Sequence, residues 1–531
     1  MSSGGAGPGG GGDAVADRLR EVEREILARR PEHSIEPSLD RIRALVTLLG
    51  DPQRAYPVIH ITGTNGKTST ARMTETLLRA RGLRTGLFTS PHLTRIQERI
   101  CVDGEPLSAE RFIAAYDEIR PYLDLVDATQ PVPLSFFEVL VGMAFSVFAD
   151  APVDLAVIEV GMGGTWDNTN VADGTVAVVT PVSIDHARYL GSTVEAIATD
   201  KAGIIKPDAV AVLAQQPLPA AEALLRRAVE VGASVAREGL EFGVLSRELA
   251  VGGQLLSVRG LLGDYDDLFL PLFGAYQGGN LACAIAAVEA FAGGAGTALP
   301  AAGGESGAAG LDRATGLDDA TGLDGATGLD GATGLDGATG LDGATGLDGW
   351  AGPGGHGGRL AEPAALDADL VRQAVATMSS PGRLEIVRRS PVVIVDAAHN
   401  PAGMAATVEA VSEAFTFTEL VAILAVAEDK DVPGILDELE PAVTRLVVTA
   451  NSSQRSMDPV KLGELAVSVL GPDRVLVAAG LDEAVETGVR LADEMAAESG
   501  RPGSAGLLVT GSVITAGDAR RLLLSPAEGD R

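Results

Sequence analysis

Cysteine is almost missing. Cys101 and Cys283 are the only two in 531 residues, and neither has a metal-ligating neighbour, which argues against a disulfide framework and makes a reducing cytoplasm the expected home. Basic residues are outnumbered, 41 Lys and Arg against 72 Asp and Glu, giving a net charge of −31. Attachment to nucleic acid or to an anionic membrane needs clustered Lys and Arg, so neither is an expected partner. Any phosphate must be held locally. No apolar run approaches the roughly 20 residues of a membrane span. The opening MSSGGAGPGGGGD has neither the basic start nor the apolar core of a secretory signal and reads as a disordered tail over 1–13.

What is present is a globular chain, 46% apolar and long enough for several cores. Leu19, Val22 and Ile26, then Leu39, Ile42 and Leu45, recur at helical spacing. The runs VIHI (58–61), LAVIEV (155–160) and TVAVVT (175–180) read as buried parallel strands. They belong to a first large domain, 14–292. Residues 293–365 are rich in Gly, Ala, Thr and Asp, with six tandem hexads over 314–349, five of them ATGLDG. Solenoids need at least about three coils to bury a core, so this stretch reads as a low-complexity insertion. It carries eight of the aspartates, so the acidity says little about any site. Beyond it, PVVIVD (391–396), LVAILAV (420–426), RLVVTA (445–450), RVLVAA (474–479) and GLLVTG (506–511) alternate with helical stretches over 366–531. The expected fold class is α/β: an N-terminal P-loop-type ATPase domain with a parallel sheet, then a smaller Rossmann-like α/β domain.

One absence is local. A standard phosphate loop reads G-x-x-x-x-G-K-[ST], and IHITGTNGKTST (59–70) has Ile61 where the first glycine belongs. The context is otherwise right: an apolar strand, Gly63 and Gly66, then a helix. Backbone amides can wrap an anion there, Lys67 supplies a charge, and Thr68 or Ser69 can reach Mg²⁺. Glu159 ends a buried strand, where open α/β sheets hold ligands, and can hold Mg²⁺ beside phosphates. Asp185, His186 and Lys201 lie in one loop–helix unit, and His60 reads as a core or supporting histidine.

These segments resemble the folylpolyglutamate synthase/dihydrofolate synthase family, a branch of the amide-forming ligases that includes the Mur enzymes. The resemblance rests on ten ordered stretches, among them HITGTNGKTST (60–70), TSPHL with ERI (89–100), SFFE (135–138), EVGMGGTWDNTN (159–170), DHARYLGSTVEAIATDKAGIIKP (185–207) and QGGNLACAIAA (277–287). SPGRLEI (380–386), VDAAHNP (395–401), DKDV (429–432) and VTGSVITAGDARRL (509–522) complete it. It implies that Gly63, Thr64, Asn65, Gly66, Lys67, Thr68 and Ser69 cradle ATP, with Asn280, Arg383 and Asp396 as further nucleotide contacts. It implies magnesium, two ions, at Ser69, Ser90, Glu159 and His186, and a carbamylated Lys201. The folate side is implied at Pro91, His92, Arg99, Phe136, Phe137, Asp167 and Asn170. The substrates implied are ATP, L-glutamate and dihydropteroate or folates, handled by a monomer. Relatives commonly read G-G-R-x-D-A-T-N; Thr165 and Asn168 depart from that pattern.

The chemistry expected is attack of a folate-type carboxylate on the γ-phosphorus, then attack of the glutamate amine on the acyl phosphate. Lys67, Arg383 and magnesium stabilise the transferring phosphoryl group. Lys201 and His186 stand beside them, and His399 is the expected acceptor of the glutamate's proton. One rival is a Mur-type ligase for another carboxylate; only 62 residues precede the loop, which leaves no room for a separate uridine-nucleotide domain. The other is a nucleotide-operated switch, which has no need of SFFE, TSPHL and AAHNP.

Overall fold

The computed structural model describes residues 10–31, 36–295, 365–501 and 503–524. Two open sheets account for the expected strands. In the first, β1 (Val58–Thr62), β2 (Thr85–Phe88), β3 (Ile100–Val102), β4 (Glu105–Pro106), β5 (Leu155–Glu159), β6 (Gly174–Val179), β7 (Val210–Leu213) and β8 (Ser234–Arg237) are ordered β4-β3-β2-β5-β1-β6-β7-β8. From β2 to β8 in that order every pair is parallel, while β3 runs antiparallel to both of its neighbours, β2 and β4. Strands β1 and β5 are buried at every residue, as apolar runs covered by helices on both faces must be. Because β1 lies between β5 and β6, its C-terminal end, the phosphate loop, opens beside Glu159 and Thr180. This is the crevice at which doubly wound sheets bind ligands.

The chain over 243–270 forms an antiparallel sheet that was not expected: β9 (Gly243–Ala250), β10 (Gly253–Arg259) and β11 (Asp264–Leu270). Its strands are mixed and largely polar on one face, so they lack the continuous apolar run that betrayed the parallel ones. The helix Ala275–Ala290 lies against β9 and the Lys67–Ala80 helix, buried almost throughout. Near its end, buried Glu289 accepts from the amide of Leu261 (2.5 Å) and the hydroxyl of Tyr265 (2.5 Å), and the Tyr265 oxygen accepts from the amide of Leu366 (2.9 Å). Leu366, Val371, Ala374, Val375 and Met378 share a core with Ile285 and Leu268. Residues 366–378, expected with the second sheet, therefore pack with the first domain, against β11 and the Lys67–Ala80 helix. Most of the insertion expected over 293–365, its hexads included, lies outside the described residues. The expected tail over 1–13 does so too, except that a helix runs from Gly10 to Leu27.

The second sheet has β12 (Glu385–Arg389), β13 (Val392–Val395), β14 (Glu419–Leu424), β15 (Arg445–Val448), β16 (Val475–Val477) and β17 (Ala505–Thr510) in the order β12-β13-β17-β14-β15-β16. All pairs except β12–β13 are parallel. The five expected strands are all there; β12, an edge partner with exposed residues, was not foreseen. Among the described residues no helix is long and apolar enough to cross a membrane.

Candidate active site

The phosphate loop is a tight turn between β1 and the Lys67–Ala80 helix, and both its glycines are forced. Gly63 has φ of 142°, and a Cβ there would lie 1.9 Å from the Thr180 hydroxyl; Gly66 has φ of 90°, with Asn280 Oδ1 2.5 Å from where its Cβ would be. Only a residue without a side chain fits either place. Ile61 is a buried residue of β1, so the absent first glycine is simply strand. The amides of Thr64 and Asn65 donate to the Pro181 carbonyl, and Lys67 folds back to donate to the carbonyls of Gly63 (3.2 Å) and Thr64 (3.0 Å).

Glu159 lies across from this lysine with both carboxylate oxygens engaged. Oε1 accepts from the Thr68 hydroxyl (2.8 Å) and Oε2 from the Ser90 amide (3.1 Å). Burial pushes the Glu159 carboxyl up and the Lys67 ammonium down, and each is the leading charge that keeps the other ionised. Ser69, expected at a metal, points elsewhere: its hydroxyl is 2.9 Å from that of Ser380, on the chain leading into the second sheet. Thr68 is the hydroxyl beside Glu159. Lys201, buried, donates to the Gly63 carbonyl at 2.7 Å; burial first, then the nearby Lys67, push its amine down to about 7.

Asp185 gathers the second domain's loops. Its carboxylate accepts from Lys430 (2.6 Å) and Asn400 (3.2 Å), and His399 Nε2 lies at 3.3 Å. Burial opposes its charge, but the His399 hydrogen bond and the charges of His399, His186 and Lys430 hold the carboxyl well below the usual range. Asn400 also exchanges amide hydrogen bonds with Asn65 of the phosphate loop, 3.2 and 3.1 Å. Burial pushes His186 down to about 3, so its imidazole is neutral and keeps a lone pair. His399 Nδ1 is 3.0 Å from the Ala397 carbonyl. Both of its ring nitrogens thus face oxygen atoms. The Arg383 amide donates to the Ser380 carbonyl at 3.1 Å, while its guanidinium has neither a hydrogen-bond nor an ion-pair partner among the described residues, yet acts electrostatically on both Lys67 and Glu159.

Two expected nucleotide contacts are occupied within the protein. Asp396 accepts from the amides of Leu384 (2.9 Å) and Ala398 (2.8 Å) and from the Thr407 hydroxyl (2.9 Å). Asn280 donates to Gln277 at 3.0 Å. Lys430 and Asn400 were given no role from sequence although DKDV and AAHNP contain them; nothing local distinguishes a lysine that crosses to another domain.

On the folate side a cavity of about 70 Å³ is lined by Phe137, Trp166, Asp167, Asn168, Arg30 and Arg41, among others. Asp167 accepts from the amides of Met162 and Thr169, 2.9 Å each, and burial pushes its carboxyl up to about 6. Phe136 faces away from this cavity, beneath the Arg99 guanidinium at 5.0 Å, and Arg99 donates to His92 Nδ1 at 3.0 Å. Pro91 is exposed after a cis bond from Ser90. Asn170 turns inward, its amide donating to the carbonyls of Thr165 (3.1 Å) and Gly203 (3.2 Å). The two departures separate. Thr165 is tied to the Asp200 carbonyl at 2.9 Å, outside the cavity lining, whereas Asn168 lines it, 3.5 Å from Glu138, which also pairs with buried Arg41 at 2.9 Å. Arg30 and Arg41 come from the leading helical segment, which gave no sequence signal for a site.

A magnesium ion takes oxygen ligands, few of them from protein, and completes its shell with phosphate and water. One buried carboxylate flanked by the Thr68 hydroxyl and Ser90 fits that demand; His186, also expected at the metal, offers a nitrogen instead and has Asp185, Lys430, His399 and Lys67 as its charged neighbours. Among the described residues no group of three or more His, Cys, Asp or Glu is placed to hold a metal unaided.

A phosphate loop on one Rossmann-like sheet, facing the strand-end loops of a second, defines a two-domain nucleotide-dependent ligase of the Mur type. The family described as "Mur ligase, glutamate ligase domain" matches residues 382–512. The chain is 44% identical over 527 residues to the dihydrofolate synthase/folylpolyglutamate synthase of Mycobacterium tuberculosis, covering 96% of this chain and 94% of that one. It is 29% identical over 489 residues to the folylpolyglutamate synthase of Lacticaseibacillus casei, covering 91% and 94%. It superposes on the M. tuberculosis folylpolyglutamate synthase complexed with ADP with a TM-score of 0.81, at 43% identity, over 96% of this chain and 99% of that one. For the L. casei complex with AMPPCP and folate the TM-score is 0.72, at 26% identity, over 96% and 100%. The chain belongs to the dihydrofolate synthase/folylpolyglutamate synthase family.

Proposed function

We propose that this protein is an ATP-dependent ligase that adds L-glutamate to dihydropteroate, to the γ-carboxylate of folate polyglutamates, or to both. The observation that carries the reading is the join at Asn65, Asn400 and Asp185, where the phosphate loop meets two loops of the glutamate-ligase domain. A nucleotide phosphate held by the first domain would face an amino acid held by the second. Family membership and the relatives solved with ADP, AMPPCP and folate support it.

A carboxylate does not acylate an amine in water, because oxide is too poor a leaving group. Attack of the folate-type carboxylate oxygen on the γ-phosphorus expels ADP and gives an acyl phosphate. The glutamate amine then attacks the carbonyl carbon, phosphate leaves, and the amine nitrogen gives up its proton. In the proposed site Lys67 and Arg383 bear on charge spread over the transferring phosphoryl group, the main contribution a protein makes to such a reaction. Glu159, Thr68, Ser90 and His186 would hold magnesium, which when bound neutralises phosphate charge and aligns the oxygens. The cavity beside Phe137 and Asp167 is proposed for the pterin, with Asn168 as its altered wall. Small molecules are the only substrates this requires, and two buried free cysteines suit a reducing cytoplasm.

The test is ADP release by purified protein. It is expected only when a folate-type acceptor and L-glutamate are both present, with an amide product one glutamate heavier by mass spectrometry. Hydrolysis indifferent to both substrates, without that product, would establish the switch reading instead. Running dihydropteroate and a reduced folate monoglutamate separately assigns the balance of the two activities.

Carbamylation of Lys201 is part of the proposal. An amine reacts with CO₂ only when unprotonated, forming the carbamate and releasing a proton. With its amine pushed down to about 7 by burial, Lys201 gains its nucleophilic form as pH rises through 7, while an ordinary lysine waits until about 10.4. With ¹³C-bicarbonate, a protein carbamate resonance is expected at pH 8, weak at pH 6 and missing in Lys201→Met. A signal independent of pH, or one surviving that substitution, counts against the assignment.

A further inference from the structure

The loop from Ser90 to Glu98 is held at both ends. At the start, the Ser90 amide donates to Glu159. At the end, Glu98 collects the amides of Leu93 (2.9 Å), Thr94 (3.2 Å) and Arg95 (3.1 Å), and the Thr94 hydroxyl. Between these anchors Leu93 leaves the first domain. Its side chain packs with the second domain's core, which includes Val395, Val509 and Ala516. The place it enters is made by two glycines. A Cβ on Gly517 would lie 1.9 Å from the Leu93 carbonyl oxygen, and one on Gly382 3.0 Å from Leu93 Cδ1. Arg521 of the same helix as Gly517 reaches the Thr94 carbonyl at 3.4 Å. Gly382 is the residue before Arg383 and is pinned in turn, its amide donating to Glu385 (2.8 Å), which pairs with Arg520.

We propose that Leu93 is a positioning residue: a knob, seated between Gly382 and Gly517, through which the second domain sets the Ser90 segment against Glu159 and Arg383 against the phosphate loop. Leu93 touches no reacting atom. It stands three residues along the chain from Ser90 on one side, and its socket includes Arg383's neighbour on the other. One apolar contact thus fixes groups of both domains that the reaction needs in register. Well-oriented groups account for a large part of catalysis and tolerate little displacement. This inference rests on the functional reading above, and its test separates the two.

Gly517 lies inside the Val513–Leu524 helix, where alanine is a better helix former than glycine. Gly517→Ala should therefore leave the second domain folded, with an unchanged or higher Tm, while its methyl group evicts the Leu93 carbonyl. The expected result is a fall of about tenfold or more in kcat at saturating substrates, with ADP affinity by calorimetry within about twofold. Leu93→Ala should reproduce the fall without the clash, and Leu93→Met should restore most of the activity. Hydrogen exchange at the amides of residues 93–95 should rise in Gly517→Ala whether or not the protein turns over. Full kcat in both Gly517→Ala and Leu93→Ala, or unaltered exchange in the first, overturns the knob. A wild-type protein with no glutamate-dependent ADP release overturns the functional reading instead, and the exchange measurement still decides the knob.

Discussion

Lys67→Met is expected to lower kcat for ligation by about a thousandfold or more while leaving the far-ultraviolet circular dichroism unchanged. Removing a single neutral donor from a preorganised anion site typically costs about 10²- to 10³-fold, and Lys67 contributes a full charge in a buried one. Its ammonium rests on the carbonyls of Gly63 and Thr64, 3.2 and 3.0 Å away, while the amides of Thr64 and Asn65 are turned to the Pro181 carbonyl, so Lys67 is the loop's own source of positive charge. Burial works against the charge, and Glu159 and Asp185 sustain it. Methionine keeps the length and apolar stem, so packing against the loop survives. Arginine should not rescue, since a planar fork does not replace a compact ammonium in a tight turn. Activity within tenfold of wild type would remove Lys67 from the phosphoryl-transfer step.

Such a residue was legible because its signal is local. A strand, two glycines forced by backbone geometry and a helix start follow one another within 23 residues, from Val58 to Ala80. Buried parallel strands were legible for the same reason: packing on both faces requires an uninterrupted apolar run, and β1, β5 and β17 are buried at every position. The antiparallel β9–β11 sheet was not, because a strand with one wet face carries mixed residues that a loop could equally carry. Nor did sequence separate Thr68 from Ser69. Both hydroxyls follow the loop lysine, and only the helix's rotation sends one to Glu159 and the other to Ser380. Arg41 and Glu138, whose buried pair stands behind the altered Asn168, are 97 residues apart. Their meeting depends on how the leading helical segment docks, which no spacing encodes.

Asp185 is where that limit matters most, because its partners in the second domain, His399, Asn400 and Lys430, lie more than two hundred positions downstream. Asp185→Ala is expected to reduce kcat/KM for L-glutamate by about a hundredfold or more, with ADP binding changed no more than a few-fold. The reasoning is electrostatic. Lys430, with a side chain only 9% exposed, has Asp185 as its partner at 2.6 Å, and His399 leans on the same carboxylate. Removing one member of a buried pair strands the other, at about 3–5 kcal/mol, and here the stranded charge belongs to the opposite domain. Lys430 would lose its fixed place at the cleft. Acidification offers no substitute for the mutation. A carboxyl held below its unfolded value contributes stability above that value, near 3.9, and loses it only as pH falls further; at pH 5 Asp185 is ionised in both states. The deciding measurement is a double-mutant cycle. If the pair is one unit, adding Lys430→Met to Asp185→Ala should cost no further stability and restore part of what was lost, a coupling of about 1 kcal/mol or more. Additive losses in the unfolding free energy would show that the two residues hold their domains independently, and the anchoring of the glutamate side would then have to rest on Asn400 and its exchange with Asn65.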